Sequence, residues 1–240
     1  MNNKVKEFLK QFIIVNSSRK YLEVFVKHAA KSVPKGGRVL DAGAGDCPYK
    51  HYFDHARYES ADFCQVDKLY GTIDYVCDLS NIPIGDGVYD LVLLTQVLEH
   101  IPEPIKVLTE MHRILKPDSC LWLSVPLFYE EHERPHDYYR YTQYGLKYLL
   151  EKAGFEIKEI YWLEGFCGTI SYQLFVAARY LPIQKKHYGG GFIGILSTIF
   201  VFIVKIIFVV LSIIFYALDM RHKYTDQGLC KNYCVVAVKK

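Results

Sequence analysis

Two scarcities set the first limits on this 240-residue chain. No long basic run occurs and the formal net charge is only +3, so charge offers no argument for a nucleic-acid substrate. Cysteine is sparse and odd in number: Cys47, Cys64, Cys77, Cys120, Cys167, Cys230 and Cys234 are scattered along the chain. That pattern excludes a small disulfide-stapled scaffold and suits reduced thiols in the cytosol. Cys230 and Cys234 have no second pair or histidine at zinc spacing, so no zinc site is expected there. The N-terminal apolar run, Phe12 to Val15, is far shorter than a secretory h-region, which leads to the expectation of a cytoplasmic start.

What is present is organised. Val5, Phe8, Leu9, Phe12 and Ile13 fall at helical spacing with lysines off that face. Ser17 and Ser18 can cap a second helix with the face Tyr21, Leu22, Phe25, Val26 and Ala29, ended by Gly36-Gly37. Beyond Gly37, short apolar strands alternate with helical stretches. We read strands at Arg38 to Ala42, Tyr58 to Ala61, Tyr75 to Cys77, Tyr89 to Leu94, Leu121 to Val125, Ile157 to Leu163 and Tyr233 to Val238. Helices are expected from Pro104 to Leu115, stopped by Lys116-Pro117-Asp118, and from Gln143 to Lys152. The fold class is therefore α/β: a Rossmann-like, seven-stranded, mostly parallel sheet with helices on both faces, plus an apolar helical insertion before the last strand. The expected division is N-terminal helices over 1–37, a core over 38–163 completed by 229–240, and the insertion over 164–228.

Val39 to Asp46 is a strand running into a glycine-rich turn. Gly43 and Gly45 lack a Cβ, so the backbone can turn sharply and let a ligand approach the carboxyl end of the first strand. Asp41 and Asp46 would repel a pyrophosphate but suit a cationic amino-acid moiety, which favours S-adenosylmethionine (SAM) over a dinucleotide. Cys47-Pro48 follows where the dinucleotide fingerprint has its third glycine. Asp62, closing the second strand, is placed to bind ribose hydroxyls; Asp78, closing the third, can take the adenine amino group, with Leu79 beside the ring.

Four stretches carry a family likeness: VLDAGAGDCPY, CDLSNIPIGDGVYDLVLLTQVLEHIPEP, EMHRILKPDSCLWLSVP and HERPHDYYRYTQYGLKYLLEKAGF. In this order, over Val39 to Ile160, they resemble the methyltransferase type 11 group of class I SAM-dependent enzymes. The resemblance implies SAM in a crevice formed by Asp41, Gly43, Gly45, Asp62, Asp78 and Gln96, with Cys47 departing from the third glycine of many members. It also implies O-methylation of a polysaccharide or lipid-linked glycan, since similar HE-x-P-H-D-Y-x-R-Y-T segments occur in relatives associated with such synthesis.

Methyl transfer from a sulfonium needs water excluded and a nucleophile aligned, and a base only if the acceptor must lose a proton. His132 and His136 are candidate bases, with Asp137 able to orient one of them, and the residues alone do not choose between the histidines. Tyr138, Arg140 and Tyr141 of the same segment are candidate acceptor-binding residues. Glu99-His100 is similar to an E-x-x-E-H magnesium motif, but Gln96 stands in place of its first carboxylate, so no metal is expected.

The insertion is the least ordinary segment. Phe192 to Leu218 is almost all Ile, Phe, Val and Leu, roughly 40 Å long as a helix at about 1.5 Å per residue, enough to cross a core of about 30 Å. Each apolar residue favours insertion by about 0.3 to 0.6 kcal/mol, against roughly 3 kcal/mol opposing Lys205. Yet the last strand must return to the sheet, so a single crossing is awkward. Thr198, Lys205, Ser212 and Asp219 recur every seven positions as one stripe that can face a partner helix. Lys185-Lys186-His187 and Arg221-His222-Lys223 put positive charge at both ends. Monotopic or hairpin attachment on the cytoplasmic side of the membrane is preferred, with a buried helix pair or true spanning as alternatives. The combined expectation is a SAM-dependent methyltransferase of a saccharide, lipid-linked glycan or similar small acceptor at the membrane, with no nucleic-acid partner. The alternatives are an NAD(P)-dependent Rossmann oxidoreductase and an inactive membrane-associated scaffold of the methyltransferase fold.

Overall fold

The computed structural model describes residues 17–66 and 69–240; the helix expected over Val5 to Ile13 lies outside the described residues. By contacts the described residues divide into two units, one of residues 21–163 and 231–240, the other of residues 17–20 and 164–230.

The first unit is a seven-stranded sheet: β1 (Arg38–Ala42), β2 (Arg57–Asp62), β3 (Tyr75–Val76), β4 (Tyr89–Thr95), β5 (Leu115–Pro126), β6 (Phe155–Trp162) and β7 (Asn232–Lys239). Their spatial order is β3-β2-β1-β4-β5-β7-β6. The pairs from β3 to β5 are parallel, and β7 is antiparallel to both β5 and β6. The parallel centre reads as it packs, since Leu91, Val92, Leu93 and Leu94 of β4 are all fully buried, as a strand covered on both faces requires. One face meets the helix α1 (Ser17–Ser32), whose Leu22, Phe25, Val26 and Ala29 join Val39, Leu91 and Leu93 in one cluster. The helices α2 (Pro104–Ile114) and α3 (Gln143–Lys152) complete the layers. Chain order reverses between β1, which neighbours β2, and β4, so a crevice opens at the carboxyl ends of those strands.

Two boundaries differ from expectation. Ser17 and Ser18 lie inside α1, and the Ser18 hydroxyl donates to Glu164 Oε1 at 2.8 Å rather than capping the helix. α3 spans the residues expected and is capped by Thr142, whose Oγ1 accepts from Gly145 N. α2 ends at Ile114, just before Lys116-Pro117-Asp118 as expected, but the triplet does not separate the helix from the next strand. β5 begins at Leu115, opposite Tyr89, and the register jumps to Cys120 opposite Leu91. The polar triplet is therefore a bulge within a longer strand, turned at Asp118 with φ +60°.

The second unit contains α4 (Phe166–Tyr180) and α5 (Gly191–Arg221). Their contacts run in opposite senses along the two helices: a Cβ on Gly168 would fall against Asp219, Ser171 Oγ donates to Ser212 O, and Lys205 Nζ donates to Leu181 O at 2.6 Å. The two are thus an antiparallel hairpin whose ends meet, since Phe166 N donates to Tyr224 O. Lys205, Ser212 and Asp219 of the seven-residue stripe face α4, and the Lys205 ammonium caps the carbonyls at its carboxyl end. Elsewhere α5 is bare: only 6% of its most apolar 18-residue window is buried. It is the one described helix long and apolar enough to cross a membrane.

Candidate active site

At the end of β1 the chain passes through Gly43 (φ +77°) and Gly45 (φ +56°), both in the left-handed region that glycine adopts without strain. Gly43 is also a close approach, because a Cβ there would lie 2.3 Å from Val97 Cγ2. The turn is tied to β2 by Gly43 N donating to Ala61 O at 2.7 Å. Asp62, at the tip of β2, accepts from Gly45 N and from Cys64 N, each at 3.0 Å. These two backbone donors fix the carboxylate and leave lone pairs on both oxygens. Asp41 sits deeper: it is buried and accepts the Tyr58 hydroxyl at 2.6 Å. Burial, helped by the nearby Asp62 charge, holds its carboxyl up at about 6 against the downward pull of the Tyr58 hydrogen bond.

A cavity of about 480 Å³ opens above these tips, within the range of small-molecule sites. Of the residues singled out in the sequence, Gly43, Asp62, Asp78, Leu79, Gln96, His136 and Tyr138 line it. Asp41, Gly45, His132, Asp137, Arg140 and Tyr141 do not. Gln96 holds a left-handed backbone (φ +57°) on the wall, where its amide donates to Ser124 Oγ at 3.2 Å. Asp78 accepts from Ser80 N at 2.8 Å. Sequence reasoning passed over Phe63 and Val97, which also line the cavity. Their signal was position alone, each next to a residue already chosen.

The loop after β5 is built around one ion pair. Arg140 grips both Asp137 oxygens, at 2.6 and 2.8 Å, and donates to the carbonyls of Tyr129 and Glu130. Burial pushes the Asp137 carboxyl up, but Arg140 and the His132 N–H outweigh it and hold the group at about 2. Arg140 is thereby spent on the loop, and Tyr141 is spent too, its hydroxyl donating to Leu98 O in the interior. Both stand apart from the cavity where the sequence reading had them bind an acceptor. His136 reaches the wall, edge-on to Phe63, with its Nδ1 3.5 Å from the Tyr138 hydroxyl. His100 lines the wall as well, its Nδ1 against the His136 carbonyl, and burial pulls its imidazole down toward the neutral form. Behind it Glu99 is fully buried, and that burial pushes its carboxyl up to about 8.

The chemistry of the lining discriminates among nucleotide ligands. It includes the carboxylates Asp62, Asp78, Glu103 and Glu133 and neither lysine nor arginine. Such a wall opposes a pyrophosphate and suits a cationic ligand. Residues 16–160 match the family described as methyltransferase domain.

The chain belongs to the methyltransferase domain family.

By fold and family it is a class I SAM-dependent methyltransferase, and SAM is its cofactor. The methyltransferase is 25% identical over 179 residues to a ubiquinone/menaquinone biosynthesis C-methyltransferase of Desulfotalea psychrophila, covering 68% of this chain and 73% of that protein. It is 29% identical over 118 residues to a demethylmenaquinone methyltransferase of Geobacillus stearothermophilus, covering 46% of this chain and spanning only 49% of that relative. In fold it is similar to phosphoethanolamine N-methyltransferase 2 of Haemonchus contortus, solved with SAM. That likeness has a TM-score of 0.54 and 15% identity, and covers 91% of the methyltransferase and 52% of the other chain.

Proposed function

We propose that the methyltransferase O-methylates a saccharide, lipid-linked glycan or similar small acceptor at the cytoplasmic side of a membrane. The observation that carries this reading is an acidic cavity, suited to a sulfonium donor, with the His136 imidazole on the same wall.

When bound, SAM supplies an electrophilic methyl group. Asp62 and Asp78, at two neighbouring strand tips, take the ribose hydroxyls and adenine amino group, while Leu79 and Val97 exclude water. Gly43 and Gly45 let the backbone approach, and Asp41 supports the turn from below through Tyr58. His136 accepts the proton of the acceptor hydroxyl, a task worth roughly 10² to 10⁴ in rate. Tyr138 stands beside it. Asp137, held by Arg140, accepts the backbone N–H of His132 at 2.8 Å and so positions the loop that carries both histidines.

The hairpin of α4 and α5 supports the membrane part of the reading. Its outer face is exposed aliphatic and aromatic surface, including Ile199, Ile206 and Ile213, each about half exposed. Lysine and arginine flank it at both ends, as attachment to anionic headgroups calls for. A second reading, a quinone ring as acceptor, is favoured by relatives named for ubiquinone and menaquinone synthesis.

One labelling experiment separates the two. The purified protein, given methyl-labelled SAM and isolated membranes, is expected to label a lipid extract from which mild acid frees the label as a water-soluble saccharide. His136→Asn should lower that turnover at least about 100-fold with SAM binding retained. Label that stays with an acid-stable ring lipid favours the quinone; no labelled product from membranes or cytosol, with SAM bound, overturns both.

A further inference from the structure

Three side chains outside the SAM-facing set lie together at the cavity, where His100 lines the wall and Glu99 and His132 stand behind it. Glu99 and His100 lie in the turn after β4, and His132 in the loop after β5. One potential ligand atom from each lies within 4.8 Å of the others. Glu99 has no solvent exposure, and neither carboxylate oxygen has a hydrogen-bond partner. A buried carboxyl with neither oxygen hydrogen-bonded is costly, and a cation between it and two imidazoles would satisfy it.

The histidines are prepared in a complementary way. His100 Nδ1 lies against the His136 carbonyl, an acceptor, so the ring proton sits on Nδ1 and Nε2 presents its lone pair. That Nε2 is 3.9 Å from Glu99 Oε1. His132 Nδ1 faces two acceptors, the Glu130 carbonyl at 3.1 Å and Asp137 Oδ2 at 3.5 Å, which leaves its other ring nitrogen free. Ring orientation by a carbonyl and a carboxylate is the outer shell that metal-ligating histidines have. The two rings meet edge to face at 4.6 Å.

We propose that Glu99, His100 and His132 form a divalent transition-metal site, two imidazole nitrogens and one carboxylate, with open positions toward the cavity. Cis ligands about 3 Å apart around bonds of about 2.1 Å require the three groups to close in by on the order of 1 Å. A nitrogen-rich set of this kind suits Mn²⁺, Co²⁺ or Zn²⁺ and disfavours Mg²⁺, which wants oxygen ligands. Gln96 stands outside it, since its side chain is engaged with Ser124. The role of the ion rests on the reading of this cavity as the methyl-transfer site: an open position would hold the acceptor oxygen, which His136 relieves of its proton. Its existence does not rest on that reading.

The test uses the full chain, stripped with chelator and dialysed, then titrated with Mn²⁺ followed by electron paramagnetic resonance of the free ion. One equivalent is expected to bind, at least ten times more tightly than Mg²⁺ measured by competition. Glu99→Gln and His132→Asn should each weaken Mn²⁺ at least 30-fold while circular dichroism and SAM binding stay within threefold of the parent. His132 is partly exposed on a loop, so its variant serves even if Glu99→Gln does not fold. Mn²⁺ binding that is undetectable in the parent, or that persists unchanged in the His132 variant, overturns the site. SAM affinity on the same samples reports separately on the methyltransferase reading.

Discussion

Asp41 shows how one carboxylate can read correctly as acidic strand-end chemistry and still be placed one layer off. In sequence it closes β1 ahead of two glycines, which made it a cofactor residue. In the structure it is 2% exposed and bonded to Tyr58, while Asp62 takes the cavity wall. Its folded pKa of about 6 stands above the ordinary 3.8, so the native state holds the proton more tightly than the unfolded chain. Stability is therefore lost as pH rises from about 4 to about 6, and above that the buried charge costs up to about 3 kcal/mol. Asp41→Asn keeps the acceptor for Tyr58 and removes the charge. It should unfold at higher denaturant than the parent at pH 7 to 8, with the difference vanishing near pH 4. A difference independent of pH in chemical denaturation would show that no buried charge is involved. The carboxylates at strand tips were legible because chain position alone defines them. The pairing of Arg140 with Asp137 and the meeting of Glu99 with His132 depend on loop geometry, which no spacing in the sequence encodes.

Elements were legible in proportion to how local their causes are. Gln143–Lys152 begins and ends where expected because Thr142 caps it and Gly154 follows it in a left-handed conformation, φ +93°. β5 was read short because Lys116-Pro117-Asp118, which does follow the end of α2, reads as a break before the strand, while the pairing of Leu115 with Tyr89 is a tertiary fact. The insertion lies between these cases: its seven-residue polar stripe announced a partner, and the partner proved to be α4. Close approach of the two helices depends on Gly168, where a Cβ would sit 2.3 Å from Asp219 Oδ2 and 2.7 Å from Ser17 Oγ. Gly168→Val should therefore loosen the hairpin by about 1–3 kcal/mol, the usual cost of overpacking. Amide hydrogen exchange over residues 166–180 should quicken correspondingly; unchanged protection there would mean that the helices are not held at that contact.

For the molecule as a whole, the question is what the exposed face of α5 meets. A helix this apolar that lies bare is either an interaction surface or a liability, and the hairpin gives it a geometry in which the chain leaves and returns at one end. Lys205, the residue that seemed to oppose insertion, has its charge satisfied by the carbonyls closing α4, so the cost of lipid contact falls on apolar side chains alone. Each large aliphatic residue transferred from water gains about 1.5–3 kcal/mol, and each flanking lysine or arginine adds about 1 kcal/mol on an anionic surface. The full chain should float with phosphatidylserine-containing vesicles in a density gradient and bind neutral vesicles at least tenfold more weakly. Ile199→Glu, Ile206→Glu and Ile213→Glu together place three charges on the outward face and leave the contacts of Lys205 and Ser212 untouched, so this triple variant should stay at the bottom of the gradient with circular dichroism unchanged. If it floats as the parent does, the face that binds lipid is not this one, and the lipid-borne acceptor loses its main support while the SAM cavity, whose lining residues run from Gly43 to Tyr138, keeps its own.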